Sequence, residues 1–531
     1  MSVSQHEQDY ALESSPAPSE VVMLTEPPFI PISEDQLVNE VQRIYSDLVN
    51  VEKRCVEMVQ QWRECKVELS SLLHCHQNLL EMYLDFFLTS QRLSGGTILK
   101  SVAEKYQMPT RVWGTGINSP LAALKAKRPQ SLDYVWTFIY IAYSSLTSLL
   151  ENVSVFRETW MDFLGDLAQF GMDFKESEMD CKVWAGIARD WYSQVSDQSP
   201  KIGRIQYRLA MIAWPDFLKQ LFLLMKALIT VFPFPDARDG IEWLFTHFEK
   251  KGIVYAIPPG EFITLRNRFL ALLQRDTRLL LTEQQVVHIV SCNIASVLQY
   301  GEPDAVIALS WFKRHGETNF KEAHNVALEL MSGQKRCSIE AGTAINPQIA
   351  YQESSLAFHT LSVLLDQVDN PTVFPSIHIS LSFVWCLALH PPAMQQLERY
   401  IPWMRITHYL NSLVKPDTVI SIFGRSSFPL TDGSIKYLPE DFLIRGQSWS
   451  QLYHPDDFFN DAPPEHDRRI IENQYTATLR LYRCLWLGGR IATVIKLLLD
   501  RGADVNAWGG EYGSALQVAS SQGHQEAVRR N

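Results

Sequence analysis

The chain has no pair of cysteines at CxxC spacing. Its eight cysteines, at 55, 65, 75, 181, 292, 337, 386 and 484, are scattered, which excludes a disulfide module and fits a reducing compartment. Basic charge is short as well: 48 Lys and Arg against 59 Asp and Glu leave a formal net charge of −11. That balance argues against sequence-independent nucleic-acid binding by the molecule as a whole and allows only regional sites. The opening "MSVSQHEQDYALESSPAPSE" lacks a basic segment followed by an apolar core. No secretory signal is read there, and the protein is expected in the nucleus, the cytoplasm or both.

Catalytic signatures are also missing. There is no GxxxxGK[ST] phosphate loop, no HExxH helix and no GxSxG elbow. "GTGINS", from Gly114 to Ser119, is an incomplete GxGxxG with no strand before it and Pro120 after it, and is read as a turn. His74, Cys75 and His76 are consecutive, so on a helix they point about 100° apart and do not converge on a metal. No enzyme activity, catalytic residue, cofactor, metal site or small-molecule substrate is expected.

What is present is helical material: 46% hydrophobic and 20% charged residues, enough for one large helical domain or two to four smaller ones. Residues 1–32, rich in Ser, Pro and Glu, read as a disordered leader. "SEDQ" from Ser33 to Gln36 is a capping-box pattern. After it, Leu37, Val41, Ile44, Leu48, Val51, Cys55, Met58, Trp62, Cys65, Leu69 and Leu72 keep one face of a helix in steps of four and three. The spacing predicts a long helix in an intramolecular hairpin with "NLLEMYLDFFLTSQ", which Gly95 and Gly96 end; an intermolecular coiled coil is the alternative.

Ser131 to Leu150 is apolar, but Asp133 and its Ser and Thr residues suit a buried helix better than a membrane span. Phe217 to Phe234 carries Lys219 and Lys226 and reads the same way, so no membrane contact is expected. From Ser131 to about Ile229 no alternating strand pattern intervenes. "TWMDFLGDLAQFG" with "WAGIARDWYSQVSDQSP" resembles a tetratricopeptide-like hairpin: Gly165, Ala168, Ala185 and Ala188 permit close approach, and Pro200 ends the second helix. "RIQYRLAMIAW" and "FLKQLFLLMKALI" form another. Further helices span about 262–425, punctuated by prolines, and a polar, acidic stretch from Thr431 to Glu472 reads as a loop or ordered linker. Its Asp456, Asp457, Asp461 and Glu465 read as a solvated acidic loop.

Two groups of cations keep a nucleic-acid site open. From Ile98 to Gln130, Lys100, Lys105, Arg111, Lys125, Lys127 and Arg128 face only Glu104, a local charge of +5, with Tyr106 and Trp113 available for base stacking. Lys201, Arg204 and Arg208 form a smaller group. A solvated helix surface is the plainer reading of both.

"LGDLAQF", "ARDWYSQVSDQSPKIGRIQYRLAMIAWPDFLKQLFLLMKAL", "FPFPDARDGIEWLF", and "LPEDFLIRGQSWSQLYHPDDFF" with "CLWLGGRIA" together resemble the Est-one/SMG family in its filamentous-fungal form, over about residues 33–492. The resemblance implies an all-α fold: a right-handed superhelical tetratricopeptide-like, 14-3-3-like domain over 33–235, a helical hairpin domain over 236–430, the linker over 431–472 and a last family helix over 473–493. It implies a non-catalytic scaffold for RNA or single-stranded DNA and for protein partners of telomerase or mRNA-decay complexes. In phosphopeptide-binding relatives the motif similar to "LGDLAQFG" reads Arg-Tyr-Arg, where this chain has Gln169, Phe170 and Gly171; a second family cation corresponds to Asn118. These departures count against phosphoserine binding, which needs cations, and favour the alternative of a protein-interaction adaptor.

"LLLDRGADVNAWGGEYGSALQVASSQGH", Leu497 to His524, resembles one ankyrin repeat whose second helix is missing. Residues 494–531 are expected to be a partial repeat, the start of a longer array or a loosely docked remnant.

Overall fold

Apolar residues recur along this chain at helical spacing, and helices are what they build. The computed structural model describes residues 34–250, 282–301, 347–414, 427–430, 436–461 and 474–500, apart from short breaks at 65, 67, 93–96, 175–176, 369, 390–392 and 395–396. Among the described residues the fold is all-α, with two isolated β-bridges and no strand. The chain divides into two compact units, Met1–Ser154 and Val155–Asn531. That division falls inside the span 33–235 expected as one domain.

The first unit contains α1 (Glu34–Arg63), α2 (Leu69–Ser90), α3 (Thr97–Lys105), α4 (Met108–Arg111), a π-helical segment (Val112–Asn118), α5 (Ser119–Lys125) and α6 (Leu132–Asn152). Of the stripe read from Leu37, Leu37, Val41, Ile44, Leu48 and Cys55 are buried on α1 and Val51, Met58 and Trp62 half-buried, while Val59, outside the stripe, is buried as well. Helix and stripe do not end together, however. α1 stops at Arg63, whereas Leu69 and Leu72 belong to α2, because both helices of the hairpin turn their apolar residues to one core. Val59, Leu72 and Ala123 meet there. Ser33, the expected cap, lies outside the described residues. "GTGINS" is not a turn: residues 114–118 are π-helical and lead straight into α5, and the Gly116 carbonyl four residues before Pro120, which has no N–H to offer it, is met by His76 Nδ1 at 3.3 Å.

The second unit contains α7 (Arg157–Phe174), α8 (Glu178–Gln198), α9 (Gly203–Met211), α10 (Phe217–Ile229), α11 (Ala237–Lys250), α12 (Glu283–Val297), α13 (Pro347–Leu365), α14 (Phe374–Ala388), α15 (Trp403–Leu413), α16 (Pro439–Ile444) and α17 (Gln474–Asp500). α7 with α8 and α9 with α10 are the two hairpins read from the sequence. Asp216 starts α10 by accepting the Lys219 N–H at 3.0 Å, and Thr282 with Gln285 forms a capping box on α12. α10 from Gln220 to Ile229 and α14 from Pro375 to Ala388 are buried on every side, which makes them the centre of the core. The segment Pro371–Ala388 is long and apolar enough to cross a membrane, and 83% of it is buried inside this core.

Residues 436–461 are an inner strap of this core. Leu438, Trp449, Tyr453 and Phe458 are buried. The strap is stitched to the end of α10, where Ser448 N donates to Ile229 O at 2.8 Å and Val231 N to Gly446 O at 3.2 Å, and the chain leaving α10 is joined in turn to the residues before α9, Phe232 N donating to Lys201 O at 2.9 Å. Gly446 has φ +81°, and a Cβ there would stand 1.9 Å from Pro200 O. α17 runs unbroken to Asp500, through the boundary expected at 494, and the ankyrin-like residues beyond it lie outside the described residues.

Two outcomes are expected from this seam. Gly446→Ala combines left-handed backbone strain with a clash against backbone and should lower stability by roughly 3 kcal/mol in urea unfolding. Lys226, buried on α10 with Nζ 3.4 Å from Phe442 O, has its pKa lowered to about 7 by burial and then by Arg445, against the pull of Asp197. The unfolded chain holds that proton more tightly, so stability rises with pH between about 7 and 10. Lys226→Met should raise the urea midpoint at pH 7 and abolish that rise.

Candidate functional site

In the first unit, Arg111 ends α4 and meets Glu52 of α1, with Nε donating to Oε1 at 2.9 Å and Nη2 paired with Oε2. Its guanidinium lies 5.4 Å from the Tyr45 ring centre, and the Tyr83 hydroxyl donates to the same Glu52 carboxylate. Burial disfavours the charge on Arg111, yet the bonds with Glu52 and Tyr45 outweigh it and hold its pKa above the ordinary value. Arg111 is therefore a structural cation. Lys127 is similarly engaged: Nζ donates to Trp62 O at 2.6 Å and stands 4.4 Å from the Trp62 ring centre.

Lys105, Lys125 and Arg128 are exposed, Lys100 and Trp113 half-buried, and Lys125, Arg128 and Trp113 have contacts within the chain. Tyr106 is 43% exposed, packs on Tyr45 with ring centres 5.0 Å apart, and has Lys105 Nζ 5.9 Å from its ring. The chain Glu52, Arg111, Tyr45, Tyr106 thus holds an open aromatic ring beside exposed positive charge. His74 is exposed, while Cys75 and His76 are buried, and burial lowers the His76 pKa to about 4.

In the second unit, α7 places Asp162, Asp166 and Gln169 on one face, at positions i, i+4 and i+7. Tyr192 of α8 donates to Asp166 Oδ1 at 2.7 Å and to Gln169 Oε1 at 3.2 Å. Arg204 pairs with Asp162, and Arg208 pairs with Asp166 and stands 3.5 Å from Asp162. The α9 cations therefore neutralise two nearly buried carboxylates, although the Arg204 side chain keeps 45% exposure. Gly171 has a packing reason: a Cβ there would come 2.7 Å from the Trp184 ring, so an arginine at this place requires that ring to be displaced. Gln169 is neutral and held by Tyr192. Asn118 closes the π-helical segment of the first unit, half-buried.

The densest polar constellation was not anticipated. Arg480 of α17 grips Glu440 of α16, with Nε to Oε1 at 2.6 Å and Nη2 to Oε2 at 3.0 Å. One turn on, Arg483 Nη1 reaches both Asp441 oxygens at 2.7 Å, and Nη2 donates to Lys436 O at 2.9 Å. His378 of α14 joins them, Nδ1 2.8 Å from Glu440 Oε1 and Nε2 2.5 Å from the Tyr453 hydroxyl; His454 Nε2 is 3.0 Å from Asp441 Oδ1. The order Tyr453, His378, Glu440 is that of a hydroxyl, imidazole and carboxylate relay. All three are buried, though, and Arg480 saturates the carboxylate, so what this arrangement does is fasten helices together. A signal existed: two arginines three apart in the apolar helix "LRLYRCLWLGG", and "PED" opening an apolar turn. By contrast Asp456, Asp457 and Asp461 are exposed, and Lys436 bonds Asp461 at 2.7 Å; Glu465 lies outside the described residues.

No family model and no curated protein matches the sequence. Among solved structures, a crystal structure of Est1 and Cdc13 is similar, with a TM-score of 0.46 and 9% identity, over 85% of this chain and 96% of that one.

The paired charges set an acid limit. Burial opposes ionisation, but Arg480 and His378 hold the Glu440 pKa down to about 2, and Arg483 with His454 lowers that of Asp441 likewise. Their stabilisation is present above the unfolded values near 4 and is lost as pH falls through the folded ones. Glu440→Gln or Arg483→Met, each leaving a buried charge unmatched, should cost roughly 3–5 kcal/mol at pH 7 in urea unfolding. Glu440→Gln should also flatten the decline between about pH 4 and 2.

Proposed function

We propose that the chain is a non-catalytic helical scaffold of Est-one/SMG type that holds RNA or single-stranded DNA together with protein partners, in telomere maintenance or nonsense-mediated mRNA decay, in the nucleus or cytoplasm. The observation that carries the nucleic-acid part is the open Tyr106 ring with Lys105 beside it, at the end of the helix α3 that also carries Lys100, on a platform braced by Arg111 and Glu52. A base stacks on an exposed ring whatever its identity, and lysines meet the phosphates on either side. The sequence blocks that resemble the family support the scaffold part: "SPKIGR", "FPFP" and "LPEDFLIRGQSW" meet at the seam between the strap, α9 and α10.

A second reading, a protein-interaction adaptor without nucleic-acid or phosphopeptide binding, is favoured by Gln169, Gly171 and the internal pairing of Arg204 and Arg208. Fluorescence anisotropy of the full chain with a labelled single-stranded oligonucleotide at two salt concentrations separates the two. The scaffold reading expects salt-sensitive binding. Lys100→Glu with Lys105→Glu should reduce the salt slope by about 1.4, and Tyr106→Ala should weaken binding by about 1–3 kcal/mol. Absence of binding at low salt selects the adaptor.

A further inference from the structure

Cys55 on α1 and Cys75 on α2 lie with their sulfur atoms 2.9 Å apart, one thiol donating to the other. Both side chains are buried, Cys55 completely and Cys75 with 8% exposure. They come from facing helices and are 20 residues apart in sequence, so the contact is a crosslink in waiting across the hairpin. Glu52 lies one turn before Cys55, and Tyr83 two turns after Cys75. Those two residues meet and clasp Arg111.

We infer that Cys55 and Cys75 are a redox-modification site: a small peroxide converts the pair to a disulfide that staples α1 to α2. In the first step a sulfur attacks hydrogen peroxide, forming a sulfenic acid and releasing one water. In the second, the neighbouring thiol displaces the sulfenic oxygen as a second water and the S–S bond forms. Two thiols lose two protons and two electrons, and the peroxide is reduced to two waters. The Cys75 edge admits the oxidant, because it alone of the two has any exposure. Burial raises the Cys55 pKa, with the bond to Cys75 adding to it, so Cys75 is the sulfur that attacks and Cys55 the thiol that resolves, and the narrow opening admits a small peroxide where a bulky disulfide is excluded. A bond here would restrain the unfolded chain over the Cys55 to Cys75 loop and hold the helix spacing at which Glu52, Tyr83 and Arg111 meet.

The full, reduced chain is treated with hydrogen peroxide, then denatured in iodoacetamide and digested with trypsin without reductant. Mass spectrometry should find peptides 55–63 and 67–92 as one linked species, formed at a rate independent of protein concentration and separated by dithiothreitol. The oxidised protein should unfold at a higher temperature than the reduced one, and Cys55→Ala or Cys75→Ala should abolish both the link and the rise. Recovery of the two peptides separately, alkylated or as sulfinic or sulfonic acids, overturns the site. A link formed only in denaturant, or one that leaves the unfolding temperature unchanged, overturns the staple.

Discussion

Two buried arginine–carboxylate pairs, Arg480 with Glu440 and Arg483 with Asp441, organise the larger unit. A charge taken out of water costs several kcal/mol unless its partner and its remaining hydrogen-bonding positions are supplied. Here the partners come from α14, α16, α17 and the chain around Tyr453 at once, and Arg483 Nε is the one guanidinium position of the two pairs left buried without a hydrogen bond. The pairs fix where residues 436–461 sit, and that strap in turn closes over α10 and against Pro200. Hydrophobic burial supplies the bulk of the driving force, while the ion pairs decide which face of α17 turns inward and at what register.

The same economy governs the smaller polar clusters. Arg111 answers Glu52, and Arg204 and Arg208 answer Asp162 and Asp166. A cation whose charge is met inside the chain has little left for a ligand, because taking up a phosphate would strand the carboxylate it leaves. This separates the cations that build from those that face outward. Arg111 does its work at one remove, setting the position of Tyr45, on which the exposed Tyr106 rests. A stacking surface held by packed neighbours loses less side-chain freedom on binding than a loose one.

Much of the architecture is legible in a single sequence because helices follow a local rule. The stripe from Leu37, the buried apolar run from Ser131 and the hairpins α7–α8 and α9–α10 each follow from residues three and four apart. The same locality explains the misreadings. Apolar spacing carried the α1 stripe past its end at Arg63, since two helices facing one core share a pattern. "GTGINS" has turn chemistry, yet its backbone continues as a π-helix, with the buried His76 of α2 meeting the Gly116 carbonyl, a contact 40 positions away that no local pattern shows.

The sequence by itself determined that this chain is helical and picked out several of its buried apolar segments, since propensity and periodicity act within a few residues. Tertiary structure alone decided which charges are structural. Arg111 and Glu52 are 59 positions apart, and Arg483 and Asp441 are 42, distances over which no local pattern links an arginine to its carboxylate. The stretch after Thr431 reads as a loop or ordered linker for that reason: Asp456, Asp457 and Asp461 are exposed as their composition suggests, but Glu440 and Asp441 face inward, and the guanidinium groups that make their burial possible lie on a helix that follows some 40 residues later.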